Sequence, residues 1–226
     1  MGRARDISKV FSTGTALATD SEISAFNYLT QSSASTVYQT KATAGLILLT
    51  PTSIANTSGT ASIGANGTVS FSGASTVSLN GVFSSTYDNY KIIINHTNFT
   101  SDGYRFLRLR SSSTDLATGT YGYALAGINT SGTNFPLNTG ATTFWNIGDM
   151  DSATDGTYSV SFDIHNPFLA LKTNATYVSV SSTTAGVFFS NAGGGNNTNA
   201  ISYDGFSVLT SAGNMSGTIY TYGYNK

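Results

Sequence analysis

Cysteine is absent from this 226-residue chain, which removes disulfide frameworks, thiolate metal sites and cysteine nucleophiles at once. Durability then has to come from packing or from association. Charge is almost as scarce: charged residues make up 9% of the sequence and the formal net charge is −1. A chain this neutral has no global field to gather nucleic acid or anionic lipid. Long apolar runs are missing too. The longest, Gly45–Leu49, is far too short to span a bilayer, and no apolar segment follows the basic residues of the first turn-length of chain, so neither membrane insertion nor a secretory signal is expected. Asp6 occupies the position where myristoylation needs Ser or Thr. Asn-x-Ser/Thr sequons such as Asn95-His-Thr97 and Asn174-Ala-Thr176 are then chance products of composition and carry no sugar.

What is present is apolar residues at 39%, aromatics at 12%, and a wealth of Ser, Thr, Asn and Gly. Such a chain buries a core beneath a neutral, hydroxyl-rich skin. The first thirteen residues crowd Arg3, Arg5 and Lys9 together with Ile7, Val10 and Phe11 at helical spacing, the pattern of a peptide that docks on a larger neighbour. Residues 1–25 are accordingly expected to be an anchor. Residues 26–59 carry a repeated phrase, Tyr28-Leu29-Thr30-Gln31 and Tyr38-Gln39-Thr40-Lys41. Their small polar residues cannot form a core within one chain, so the segment is expected to be a stalk that finds its partners in other copies, with Leu46–Leu49 packing about a threefold axis.

From residue 60 the texture changes to short runs of period two between clusters of Gly, Asn, Asp and Ser. That is the pattern of antiparallel strands and tight turns. Strands are expected at 90–99, 104–112, 121–129, 157–165, 177–182, 201–209 and 218–224. In 157–165, Tyr158, Val160, Phe162 and Ile164 fall on one face, while Ser159, Ser161, Asp163 and His165 fall on the other. In 104–112 the same alternation sends Leu107 and Leu109 inward, and Phe106, Arg108 and Arg110 toward solvent or an intersubunit contact. Asn80–Phe99 is expected to be a turn feeding an inner strand. Turn-marked strands about ten residues apart predict a mainly β fold, an antiparallel β-sandwich of jelly-roll type spanning 60–226.

Chemistry is harder to find. His96 and His165 are the only histidines, and no acidic cluster accompanies them to complete a metal or general-base site. Ser161, Asp163 and His165 share a face, but side chains two apart on a strand are separated by roughly 7 Å, too far for a relay. Asp149, Asp151 and Asp155 only partly imitate a calcium loop, lacking its spacing and its terminal Glu; a turn accounts for them better. The Gly-rich stretch 191–200 has neither the Lys-Ser/Thr nor the following helix of a phosphate cradle and reads as a flexible exposed loop. No catalytic, metal-binding or cofactor-binding residue is assigned. Tyr121, Tyr123 and Trp145 are candidates for recognition of polar surfaces such as glycans, because their rings combine rigid apolar area with a hydrogen-bonding tip; for Trp145, the sole tryptophan, core placement is the favoured reading.

The stretches 1–10, 27–42, 80–94 and 216–226 together resemble structural proteins of marine and cyanobacterial tailed bacteriophages, tail fibres among them. The resemblance implies a homotrimer with an N-terminal segment that binds other virion proteins of capsid or tail, a distal β-rich head, and a place on the virion after synthesis in the host cytoplasm. The short shaft implies a short fibre or a capsid-decorating protein, non-enzymatic, with host-surface glycan as a partner of the head. A fibre-borne polysaccharide depolymerase is the alternative; it would need paired carboxylates, which the Asp149–Asp155 group alone offers.

Overall fold

The computed structural model describes residues 45–150, 158–182 and 188–225. The anchor residues Arg3, Arg5, Ile7, Lys9, Val10 and Phe11 and most of the expected stalk lie outside the described residues. Residues 45–226 form a unit of their own. In chain order its strands are β1 (Leu46–Leu48), β2 (Ser53–Thr57), β3 (Thr60–Ile63), β4 (Val69–Ala74), β5 (Thr76–Asn80), β6 (Asn89–Phe99), β7 (Gly103–Ser111) and β8 (Thr114–Asp115). They continue with β9 (Tyr121–Asn129), β10 (Asn134–Thr142), β11 (Trp145–Met150), β12 (Tyr158–His165), β13 (Thr173–Ser182), β14 (Phe188–Asn197), β15 (Gly205–Thr210) and β16 (Met215–Tyr224). No helix occurs among the described residues.

The strands form two antiparallel sheets. A 10-stranded sheet runs β10-β9-β14-β13-β12-β6-β16-β4-β3, with β1 also paired to β16; a 6-stranded sheet runs β11-β7-β15-β5-β2, with β8 paired to β7. The chain is thus a mainly β sandwich, as the alternating pattern predicts. Burial follows the period of two: on β12 Tyr158, Val160, Phe162 and Ile164 are buried while the residues between them are half-buried. The same holds for Tyr90, Ile92 and Ile94 on β6. These residues share one core with Leu107, Leu109, Phe206 and Val208 of the smaller sheet. Core aromatics interlock: Trp145 meets Tyr121 edge-on at 5.2 Å and Phe162 at 5.6 Å, and Phe162 stacks on Tyr177 at 5.1 Å.

The expected turn before β6 is fastened by its own strand. Tyr90 Oη accepts from Ser84 N at 2.7 Å and donates toward the Ser84 carbonyl at 2.8 Å, so the first core residue of β6 pins the loop that crosses between the sheets.

Three expectations are corrected. Residues 46–57 are part of the sandwich, not a stalk: Leu46 to Leu48 pair with Tyr224 to Tyr222, and Ser53 to Thr57 pair with Asn80 to Thr76 of the same chain. The sandwich therefore begins near residue 45 instead of 60. Ser58 and Gly59, both at positive φ, make the tight corner by which the chain leaves β2 in the smaller sheet and enters β3 in the larger. A Cβ on Gly59 would lie 2.0 Å from the Ser72 carbonyl oxygen.

Second, the Gly-rich stretch is not a loop. Its residues 191–197 lie within β14, a strand flanked on both sides by β13 and β9. Its glycines make room: a Cβ on Gly195 would sit 2.6 Å from the Trp145 ring, so the sole tryptophan is accommodated because the strand beneath it has no side chain there. Third, Arg110 is not solvated. It is buried on the outer face of the smaller sheet, where β8 folds back to set Asp115 opposite it.

Candidate functional site

Tyr121 and Trp145 are both fully buried, which removes both as surface-recognition residues and, for Trp145, agrees with the core placement expected of it. Each ring spends its polar tip inside the fold: Tyr121 Oη accepts from Leu109 N at 2.8 Å, and Trp145 Nε1 donates to the Asn196 carbonyl at 3.0 Å. Burial pushes the Tyr121 phenol well above its ordinary pKa. Tyr123 is half-buried and packs against the core. Of the three Asp residues in the acidic stretch, Asp149 belongs to β11 and pairs with Tyr104 through the backbone; Asp151 and Asp155 lie outside the described residues. Among the described residues no group of three or more potential ligands is placed to hold a metal ion.

The two histidines are on opposite faces of the larger sheet. His96 points inward and is buried between Phe71 at 5.7 Å and Phe99 at 4.7 Å. Burial, reinforced by the nearby Arg105 guanidinium, holds its pKa well below 6.5, so it is a neutral core ring. His165 points outward and its Nδ1 lies 3.2 Å from Asn89 Oδ1. Asp163 meanwhile binds Lys91 and Tyr224. His165 and Asp163 therefore serve different partners, and no Ser-His-Asp relay is formed.

On the outer face of the smaller sheet, Arg110 donates to Asn80 Oδ1 at 2.9 Å, Ser78 Oγ at 3.0 Å and Ser207 Oγ at 2.9 Å, and it also binds Asp115 and the Ser113 carbonyl. Ser207 donates to Asp115 Oδ1 at 2.6 Å. Every partner is satisfied by another member, so this network fastens the 112–115 hairpin to the sheet. Beside it, Phe106 stacks on Phe144 at 3.8 Å, and Arg108 is held by the Thr143 carbonyl at 3.0 Å.

The outer face of the larger sheet gathers the more versatile groups. Alternation on β16 buries Ile219, Thr221 and Gly223 and turns Tyr220, Tyr222 and Tyr224 outward in a row. Register sets Tyr222 beside Lys91 of β6, and Lys91 beside Asp163 of β12. Lys91 Nζ approaches the two Asp163 oxygens at 3.2 and 3.1 Å, and Tyr224 Oη donates to Oδ1 at 2.5 Å. Both members of the ion pair remain partly open to solvent. Burial, then the hydrogen bond to Asp163, pushes the Tyr224 phenol up to about 12, which keeps it a proton donor across the physiological range. Elsewhere this face is uncharged: its neighbouring strands expose Ala124, Ala126, Thr176, Val178 and Ala192. Sequence reading identified Asp163 and His165 as outward-facing but missed the tyrosine row, although the alternation in Thr218–Tyr224 announces it. No protein-family model matches the chain, and no curated protein is similar to it in sequence.

Proposed function

We propose that the protein is a non-enzymatic structural component of a tailed-bacteriophage virion. In this reading it is a short homotrimeric fibre or capsid-decorating protein, joined to other virion proteins through residues 1–25, and it displays the sandwich outward to host-surface glycan. The observation that carries the proposal is the outer face of the larger sheet, an open, nearly uncharged surface with a row of tyrosines and one preorganised Lys91–Asp163–Tyr224 group. Rigid amphipathic rings beside adaptable polar groups suit recognition of polar surfaces, and a surface poor in charge responds little to salt because screening acts on charges. Self-association is supported by Leu46, which is 43% exposed on β1 beside β16 and which copies meeting along β1 would cover.

Removal of residues 1–25 tests the proposal. The truncated chain is expected to keep its far-ultraviolet spectrum and to disappear from purified particles. Truncated chain found on particles at the normal copy number would defeat the anchor, and a monomer by light scattering at micromolar concentration would defeat the trimer.

A further inference from the structure

We propose that Lys91, Asp163 and Tyr224, flanked by the rings of Tyr220 and Tyr222, form a binding site for neutral sugar units that present two adjacent ring hydroxyls. The inference rests on the reading of the sandwich as an outward-facing attachment module and names the chemistry it would recognise.

Valence is the first argument. A carboxylate offers about four acceptor positions and an ammonium three donors. Asp163 accepts two contacts from Lys91 and one from Tyr224, which leaves one acceptor position on the carboxylate and a donor on the neighbouring ammonium. An open acceptor beside an open donor, held about a hydrogen-bond length apart, matches two hydroxyls on adjacent ring carbons: one donates to Asp163 and the other accepts from Lys91. Tyr224 fixes the carboxylate from its other side.

Charge supplies the second argument. Lys91 and Asp163 neutralise one another and are the charged side chains borne by the strands of this face, so an anionic or cationic sugar gains no net attraction. A partly exposed ion pair contributes at most about 1 kcal/mol to stability, and the fold does not depend on it. The third argument is shape. Tyr220 and Tyr222 alternate outward on β16 beside the polar group, so the apolar C–H face of a pyranose can lie on a ring while its edge hydroxyls reach Asp163 and Lys91. The sheet is open, so the ligand is the flat side of polymer-borne sugar units, with His165 and Asn174 closing one end.

The test uses the full chain and three neutral probes with adjacent ring hydroxyls: cellohexaose, mannohexaose and xylohexaose. In a nuclear magnetic resonance titration, at least one probe is expected to shift the amides of Lys91, Asp163 and Tyr222. Asp163→Asn, which keeps the side-chain shape, is expected to weaken that binding by about tenfold or more, the loss of a charge-assisted hydrogen bond, with the melting temperature changed little. Tyr222→Ala should weaken it as well. The site is refuted if none of the probes shifts these residues, or if Asp163→Asn binds as tightly as the parent chain. A chain that binds none of the sugars yet is present on particles sinks the site and leaves the virion role. A chain that binds them through Asp163 yet is absent from particles sinks the virion role and leaves the site.

Discussion

Replacement of Gly195 by Ala tests whether the Gly-rich stretch is built around the tryptophan. The added methyl would meet Trp145 Cδ1 and Nε1 at 2.6 Å and the Gly122 carbonyl oxygen at 2.8 Å. Neither neighbour can yield cheaply. Trp145 is fully buried, edge-on to Tyr121, against Phe162, and tied by its indole nitrogen to the Asn196 carbonyl, one residue from the substitution. Gly122 is backbone in the adjacent strand β9, paired next to Gly195. Overpacking of this kind costs about 1 to 3 kcal/mol. Gly→Ala also restricts the unfolded chain, which returns about 0.4 to 1 kcal/mol, so a single measured value would mix the two effects. Gly140→Ala separates them: Gly140 is on the edge strand β10 with nothing within 4 Å of its would-be Cβ. The unfolded-state gain is common to both variants, so the difference between them isolates the overlap, and Gly195→Ala is expected to be the less stable by about 1 to 3 kcal/mol. Urea unfolding followed by fluorescence of the sole tryptophan measures both stability and the environment of the ring that is displaced. Equal midpoints for the two variants, with an unshifted emission maximum, would refute the packing of Trp145 on β14.

Phe162→Ala removes a fully buried ring that touches Trp145 and Tyr177 and is expected to cost about 3 to 5 kcal/mol, whereas His165→Ala on the opposite face should stay within about 0.5 kcal/mol; equal losses in chemical denaturation would mean that the register of β12 is wrong. His96 is neutral in the fold because burial first, and the Arg105 charge second, disfavour its proton. A base whose folded pKa is depressed contributes full stability above its unfolded pKa near 6.5 and loses it as the pH falls. Stability is therefore expected to drop by about 1.4 kcal/mol per pH unit below that point, and His96→Phe should flatten the melting-temperature profile between pH 7.5 and 5. Asp115→Asn strips the buried Arg110 of its half-buried counter-charge, and a loss of about 1 to 3 kcal/mol is expected; an unchanged midpoint would show that Ser78, Ser207 and Asn80 satisfy Arg110 without it.

The sandwich was legible where side chains alternate between oil and water. Tyr158–His165 shows this best: four large apolar residues separated by polar ones can form a half-buried strand and little else. The same signal vanishes in β14, because glycine has no side chain with which to display a period. Its central position follows from a long-range demand, space for Trp145, that only the folded chain reveals. Aromatic identity was a poor guide to exposure. Tyr121 and Trp145 have the polar tips of recognition residues, but those tips are used by Leu109 and Asn196 inside the core. Arg110 was misjudged for a local reason: Asp115 follows five residues later, across a hairpin whose Ser112 and Ser113 both adopt positive φ. That spacing was a usable signal. The Lys91–Asp163–Tyr224 group joins three strands from distant parts of the sequence, so alternation could give each residue's face but not their meeting.

Neutrality poses a problem that the backbone solves. Edge strands offer unpaired N–H and C=O groups to other chains, and proteins commonly blunt them with lysine or inward-pointing charge; this chain, with charged residues at 9%, has few to spend. The larger sheet ends on β10, a strand long enough to template pairing. Pro136 removes one donor from that edge, and the register slips between Thr139 and Thr142, where Ala141 takes a positive φ. A proline and a bulge break the regular row of hydrogen-bonding groups without any charge. At the opposite end the sheet closes on β3, four residues long, with the three-residue β1 beside it on β16. Short edges and an interrupted long one keep the sheet from extending edge to edge. Association is thereby directed to side chains on the faces. If this is how the edge is guarded, Pro136→Val combined with repair of the bulge by deletion of Ala141 should raise the sedimenting fraction at high concentration while Pro136→Val alone raises it less. A doubly altered chain as soluble as the parent would assign the protection to something other than the edge.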